Sequence, residues 1–332
     1  MATVYPSIRP FPSVGRYNLA TYDSNFRYSR LPTYKPEWRW TRRVIITEQS
    51  GNDLTDYQVL VTLTWKNFEF HKAEADGRDI RFVDPSTWRF LPYWIEKWDS
   101  ENYLAKVWVK VPSIPANSTK EIYLLYGNPD ATSESNGDNV FDFFDDFEGT
   151  DLDTTKWYSE TTDYVVSNSE VSAERIHAKT FIAEKGKHVV EVKVKGCTNE
   201  ADKDIGFKFL SDSETALGNC YLAGWNLAGT SNNVVQIGEY SPYNQIASCS
   251  YSWNVDTYYL ARVWKSNDDI VHIHYEVYED GSNPITCDSS ATTWRDSGYV
   301  GFYESCTQNN CFTLDWFRVR KYADPEPKVE VR

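Results

Sequence analysis

Three things are scarce in this 332-residue sequence: methionine, long apolar runs and basic charge. Met occurs once, and no run approaches the roughly 18 consecutive apolar residues of a membrane-spanning helix, so we expect no membrane insertion. Lys and Arg number 34 against 48 Asp and Glu, which leaves a net charge of −14 at pH 7. Because an acidic surface repels polyanions, we expect no nucleic-acid partner for the body of the protein.

The N-terminus lacks the continuous apolar segment of a signal peptide, and Pro6, Pro10 and Pro12 interrupt it. We therefore expect no signal peptide in this sequence. No Cys-x-x-Cys spacing is present either, which argues against a zinc site.

Aromatic residues, in contrast, are abundant. They make up 16% of the chain, with 13 Trp and 23 Tyr, a composition typical of β-structure. A chain of this length is about right for two domains. We therefore expect an all-β protein of two tandem antiparallel β-sandwiches behind an extended N-terminal arm.

Residues 38–138 form the first predicted domain. Val59, Val61 and Leu63 alternate with polar residues, as in a strand that is buried on one face. Similar runs predict further strands at Val44–Thr47, Tyr57–Thr64, Asp79–Val83, Pro92–Trp98, Leu104–Val111 and Lys120–Tyr126.

Six motifs follow one another through this domain: Trp40–Ile46, Leu54–Val59, Gly77–Phe82, Leu91–Trp98, Val107–Pro112 and Ile122–Pro129. Together they resemble a domain of unknown function found in prokaryotic surface proteins and in phage or archaeal-virus proteins. Some members carry a MotA/TolQ/ExbB proton-channel label, which cannot apply to a chain without a spanning segment. The resemblance implies an extracellular or virion module and provides no catalytic residue. Asp79, Arg81, Glu96 and Lys97 are accordingly interpreted as paired or solvated charges.

Residues 139–327 form the second predicted domain, followed by a tail at 328–332. Its first segment, Val140–Trp157, and its last, Phe312–Tyr322, resemble the ends of the concanavalin-like jelly roll of laminin-G-type lectin modules and laminarinase-like hydrolases. The resemblance implies two stacked antiparallel sheets whose first and last strands are neighbours. The Glu-x-Asp-x-Glu pattern of the hydrolases is missing, and Glu276–Asp280 has the wrong spacing, so we expect no enzyme activity.

The jelly-roll resemblance also implies a structural Ca²⁺ ion. Asp146 and Asp315 match the places of the family's carboxylate ligands, and a backbone carbonyl near Gly186 could complete the site. The alternative is an acidic strand end that is hydrogen-bonded to turn amides.

Aromatic side chains of the second domain could form a platform beneath a sugar, because flat amphipathic rings suit a sugar's C–H face. We single out Trp225, Tyr243, Tyr251 and Trp253, the last three of which lie in a polar, turn-rich stretch. The alternative is that these rings belong to the core or to a subunit interface.

The six cysteines all lie in the C-terminal half, and an even count hints at disulfides. Cys306 and Cys311 flank a turn-like tetrapeptide and are the best candidate pair. Buried free thiols are the alternative.

Residues 1–37 form the basic arm. Residues 1–43 carry a net charge of +6, against −20 for the remainder. We weigh a solvated tail, an arm that docks on an acidic neighbouring subunit, and, more weakly, a single-strand nucleic-acid contact. The candidate assembly residues are Arg9, Arg16, Tyr17, Arg27, Tyr28 and Arg30.

Taken together, these features predict a non-enzymatic structural protein of a virion or extracellular assembly, such as a capsid, tail or fibre component. Its partners would be further copies or other subunits of the virion or surface, joined through the arm. The alternative is an adhesin or receptor-binding protein whose jelly roll binds host glycan. A third interpretation is a carbohydrate-active enzyme with an unusual site.

Overall fold

The structure is a computed structural model that describes residues 37–196, 204–225, 227, 234–240, 242–305 and 312–332. The six arm residues named above and the candidate pair Cys306–Cys311 lie outside the described residues. The described chain is built from β-strands with one short 3-10 helix, so the predicted all-β class is confirmed. No helix in these ranges is long and apolar enough to cross a membrane.

The chain divides into two compact units. The first unit contains the residues up to Val140 together with Pro325–Arg332, and the second unit contains Phe141–Asp324. The first unit contains the 3-10 helix Phe70–Lys72. Its strands are β1 (Trp40–Thr47), β2 (Leu54–Thr64), β3 (Arg81–Asp84), β4 (Arg89–Leu91), β5 (Tyr93–Asp99), β6 (Leu104–Ile114), β7 (Thr119–Tyr126) and, at the far end of the chain, β23 (Lys328–Val331).

Two antiparallel sheets form the first unit, in the strand orders β23-β1-β7-β3-β4 and β2-β6-β5. Val59, Val61 and Leu63 are buried, as their alternation predicts, and lie opposite the buried residues Val109, Val107 and Ala105 of β6. Residues 328–332, predicted as a tail, instead contribute a strand that pairs with β1, with Val331 opposite Val44. The expectation of a tail was wrong because the short alternating run of Val329 and Val331 can pair with the open edge of β1.

The second unit comprises fifteen of the described strands. They are β8 (Phe143–Asp145), β9 (Trp157–Ser159), β10 (Tyr164–Ser167), β11 (Glu170–Ala173), β12 (Arg175–Ile182), β13 (His188–Gly196), β14 (Asp204–Ser211), β15 (Cys220–Trp225), β16 (Val234–Tyr240), β17 (Asn244–Ser250), β18 (Tyr258–Lys265), β19 (Val271–Val277), β20 (Ile285–Asp288), β21 (Gly298–Ser305) and β22 (Phe312–Lys321).

Two antiparallel sheets enclose the core of this unit. One has the order β10-β11-β22-β13-β18-β19-β20 with β8 beside β22, and the other has the order β17-β16-β15-β14-β21-β12-β9. The pairing of β8 with β22 makes the first and last strands neighbours, as the jelly-roll resemblance implies. Alternate residues such as Val190, Val192 and Val194 point into the layer between the sheets.

A disulfide joins Cys249 of β17 to Cys287 of β20, with the two Cα atoms 5.8 Å apart. These strands lie at the ends of the two strand orders, so the bond ties one edge of each sheet together. Cys220 is a buried free thiol whose pKa is raised to about 12 by burial. Six cysteines allow too many pairings for sequence to select this one.

Candidate functional site

A surface cleft of about 350 Å³ lies beside this disulfide. It is lined by Ser250, Tyr251, Ser252, Asn283, Pro284 and Ile285. One wall continues from β17, and the other is the segment that leads into β20. The cleft therefore sits where the edges of the two sheets approach each other.

Local hydrogen bonds shape the second wall. The chain reverses after β19, where the Gly281 amide donates to the Val277 carbonyl and the Val277 amide donates to the Ser282 carbonyl. Asn283 follows with a φ of +50°, a left-handed conformation that Asn tolerates better than most residues. This turn holds Asn283 and Pro284 exposed at the rim.

Tyr251 connects the two walls. Its hydroxyl donates to the Asn283 carbonyl over 3.0 Å, and its ring stacks on Tyr275 at a centroid distance of 6.0 Å. Burial raises the pKa of the Tyr251 phenol well above its usual value, so the hydroxyl stays protonated. The cleft floor is therefore a fixed ring with a neutral polar tip.

The lining carries no formal charge at neutral pH. Ser250, Ser252 and Asn283 are exposed and supply hydroxyl and amide groups, while Pro284 and Ile285 supply apolar surface. Such a lining can exchange hydrogen bonds with a polar ligand and cover its C–H groups, but it offers no ionic partner.

The four predicted platform residues take different positions. Tyr251 lines the cleft but is only 6% exposed, and Trp225 is 7% exposed within the core. Trp253 is half-buried and stacks on Tyr259 at 4.0 Å. Tyr243 lies over Gly238, where an added Cβ would approach its ring to 2.2 Å.

The prediction of an exposed stacking platform was therefore wrong for Trp225 and Tyr251. The polar residues around Tyr251 and Trp253 indicated a solvent-exposed loop, yet both rings fold back over the edge of the core. This packing buries their faces, which is the alternative that the sequence left open.

Among the predicted calcium ligands, Asp315 has a cationic partner in the structure. Asp315 accepts a 2.9 Å hydrogen bond from Lys193 Nζ, and the Gly186 amide donates to the Lys265 carbonyl. Asp146 is half-buried, and burial together with the Glu148 and Asp145 carboxylates raises its pKa. Within the described ranges, no group of three or more His, Cys, Asp or Glu residues is placed to hold a metal ion. Calcium remains a prediction, since loop carbonyls could also contribute.

The neighbouring carboxylate illustrates the alternative to a metal. Asp145 Oδ1 accepts from the Phe147 amide over 2.8 Å, and its Oδ2 accepts from Trp157 Nε1 over 2.6 Å. A strand-end carboxylate is thus satisfied by a turn amide and an indole.

A second polar cluster, which sequence reasoning missed, lies on β12 and β14. His177 Nε2 is 2.8 Å from Glu160 Oε1, and His177 Nδ1 is 3.2 Å from Lys208 Nζ. Lys208 also donates to the Ser213 and Ala216 carbonyls, each over 2.6 Å. The three N–H donors of the Lys208 ammonium are therefore all used on fixed partners. Lys208 anchors the segment between β14 and β15 and has no donor left for a ligand. No local spacing signals this cluster, because its members come from distant strands.

The charged motif residues of the first unit also have structural roles. Asp79 is fully buried and accepts hydrogen bonds from the amides of Gly127, Asn128 and Glu74 over 2.6 to 3.2 Å. Arg81 is buried and donates to backbone carbonyls that include Ile80 at 2.6 Å. These side chains hold loops to β3 and are not arranged around an open site.

Comparisons with known proteins place this geometry in context. Residues 76–160 match the family model described as "Domain of unknown function (DUF2341)", which supports the predicted domain of unknown function over part of its length and extends past the boundary after Val140. No curated protein matches the chain in sequence.

Several solved structures resemble the chain weakly. The carbohydrate-binding module CBM66 from Bacillus subtilis is 13% identical, covers 49% of this chain and 90% of its own, and has a TM-score of 0.32. The CBM2 module of the Lactobacillus casei BL23 phage J-1 evolved Dit is 12% identical, with coverages of 53% and 93% and a TM-score of 0.39. Peanut lectin is 8% identical, with coverages of 57% and 97% and a TM-score of 0.37. TM-scores below 0.5 carry no inference about a ligand. The comparisons establish a match of residues 76–160 to a domain of unknown function.

Proposed function

We propose that this protein is a non-enzymatic carbohydrate-binding protein that takes a neutral glycan into the cleft beside the Cys249–Cys287 disulfide. The observation that carries the proposal is the uncharged lining, in which hydroxyl and amide groups stand next to apolar surface. Its volume lies at the lower end of the range typical of small-ligand sites.

The chemistry of the lining favours a neutral polyhydroxyl ligand over an ion or a purely apolar molecule. Ser250, Ser252 and Asn283 can each donate and accept hydrogen bonds, as sugar hydroxyls do. Pro284 and Ile285 can cover a sugar's C–H face. An anionic ligand would lose its hydration here and gain no cation in return.

The same lining supports a binding role rather than hydrolysis. Glycosidases commonly use a pair of carboxyl groups, one as acid and the other as base or nucleophile. The cleft's one titratable side chain among its described residues is Tyr251, and burial raises the pKa of that phenol well above neutrality.

The disulfide supports a location outside the reducing cytosol, because such bonds persist in oxidising compartments. We therefore propose the extracellular or virion surface as the place of action. Assembly into a virion through the arm remains a prediction, since the arm lies outside the described residues.

A glycan array probed with the full chain tests the proposal. Ser250→Trp fills the cleft from an exposed position, and Ser248→Trp places the same ring two residues earlier on the same strand as a control. We expect neutral glycans to bind the wild type and Ser248→Trp, and Ser250→Trp to bind at least about tenfold more weakly. Equal binding by the two variants, or no bound glycan at all, would contradict the proposal. Release of reducing sugar above background would overturn its non-enzymatic part.

A further inference from the structure

Four aromatic rings form two packed pairs on the first unit, here together called the aromatic patch: Trp38 with Phe90, and Trp88 with Tyr123. Phe90 lies opposite Val83, and Val83 lies opposite Tyr123, so these residues share one face of β4, β3 and β7. Trp38 packs on Phe90 with centroids 5.7 Å apart, and Trp88 packs on Tyr123 at 6.3 Å. Phe90 is 48% exposed and Trp88 is 43% exposed, so two large apolar side chains of the β3–β4 hairpin face solvent.

The turn that carries Trp88 adds a second observation. The amides of Thr87 and Trp88 both donate to the Asp84 carbonyl, and this closes the connection between β3 and β4. Trp88 has a φ of +55°, a left-handed conformation that disfavours bulky residues and suits glycine or asparagine. A tryptophan that occupies a strained turn position and remains exposed suggests that its ring serves a contact.

The N-terminal segment meets the described structure at this patch. The described chain begins at Glu37, and the next residue, Trp38, is part of the patch and donates from Nε1 to the Asp79 carbonyl over 2.6 Å. Residues 1–36 carry seven aromatic residues and a net charge of +4, against −18 for the rest of the chain. Fully extended, 36 residues reach about 120 Å, which is ample to cover the patch of the same copy or of a neighbouring one.

We propose that the aromatic patch is the docking surface for residues 1–36 of this chain. Aromatic side chains of the segment would pack against Phe90 and Trp88, because large rings that bury together supply most of the energy of small interfaces. The opposite charges of the segment and the body would favour the encounter.

Amide hydrogen exchange on the full chain tests this surface. The test variant Trp88→Asn/Phe90→Ser removes two exposed rings, and its asparagine suits the left-handed turn position. Trp65→Ser is the matched control, because Trp65 is a 70% exposed tryptophan of the same unit outside the patch. We expect exchange within residues 1–36 to accelerate at least about tenfold in the test variant and to stay unchanged in the control.

A photo-cross-linking residue at position 90 of the full chain provides a second measurement that does not depend on the double variant. Cross-links into residues 1–36, within one copy or between copies, are the expected result. Cross-links confined to other segments, or unchanged exchange of residues 1–36 in the test variant, would overturn the proposal.

Discussion

Acid should weaken the second unit through one buried imidazole, that of His177. The side chain is fully buried on β12, between the Glu160 carboxylate and the Lys208 ammonium. Since the ammonium can only donate, Nδ1 must accept, and the ring is neutral with its proton on Nε2 facing Glu160. Burial, together with the Lys208 charge, lowers the pKa of His177 to about 4.

This lowered pKa sets both the sign and the size of the effect. In the unfolded chain an imidazole takes up its proton near pH 6.5, whereas folded His177 does so only near pH 4. Between these values the unfolded state binds more protons, so falling pH favours unfolding. For this single group the free energy of unfolding should fall by about 2 kcal/mol between pH 7.5 and pH 5.

His177→Gln isolates the contribution, because a glutamine amide can donate to Glu160 and accept from Lys208 without titrating. Hydrogen exchange of the β12 and β14 amides at the two pH values gives the local free energy of opening. We expect the loss on acidification to be about 2 kcal/mol larger in the wild type than in the variant. Equal losses in the two proteins would refute the assignment of this pH dependence to His177.

Three further perturbations test other parts of the structure. Asp79→Asn puts an amide donor where a buried carboxylate accepts backbone N–H groups. The free energy of unfolding of the first unit, measured by hydrogen exchange, should fall by about 2 to 4 kcal/mol. The control Asp76→Asn makes the same change at a nearby exposed carboxylate and should change that free energy by less than about 0.5 kcal/mol. Replacing Cys249 and Cys287 by alanine releases a cross-link across 38 residues, for which chain entropy predicts a loss of about 4 kcal/mol in urea unfolding of the second unit. Calcium should raise the melting midpoint relative to chelator if it binds the folded state, and equal midpoints would remove the calcium prediction.

Alternation made the strands of the first unit predictable. The valines of β2 and β6 face the core in the structure as they do in the sequence pattern, because side chains on a strand alternate between faces. Short strands such as β4 and β23 carry too few residues for an alternating pattern to distinguish them from a loop or a tail.

The candidate site was less predictable, because it depends on contacts between distant segments. Tyr251 was singled out from its polar neighbours, yet its side chain is buried and its hydroxyl is hydrogen-bonded to the Asn283 carbonyl of the opposite wall. Asn283 was missed altogether, since a turn asparagine has no distinctive signal. The Cys249–Cys287 bond that ties the cleft walls follows from the sheet order, which sequence spacing does not encode.

The most direct test of the central claim uses a neutral glycan that binds on the array. Hydrogen exchange of the full chain, measured with and without a saturating concentration of this glycan, maps its binding site. The account predicts slowed exchange at residues 250–252 and 283–285, on both walls of the cleft, and no change on the aromatic patch of the first unit. Protection confined to any other surface, with both walls of the cleft unchanged, would contradict it.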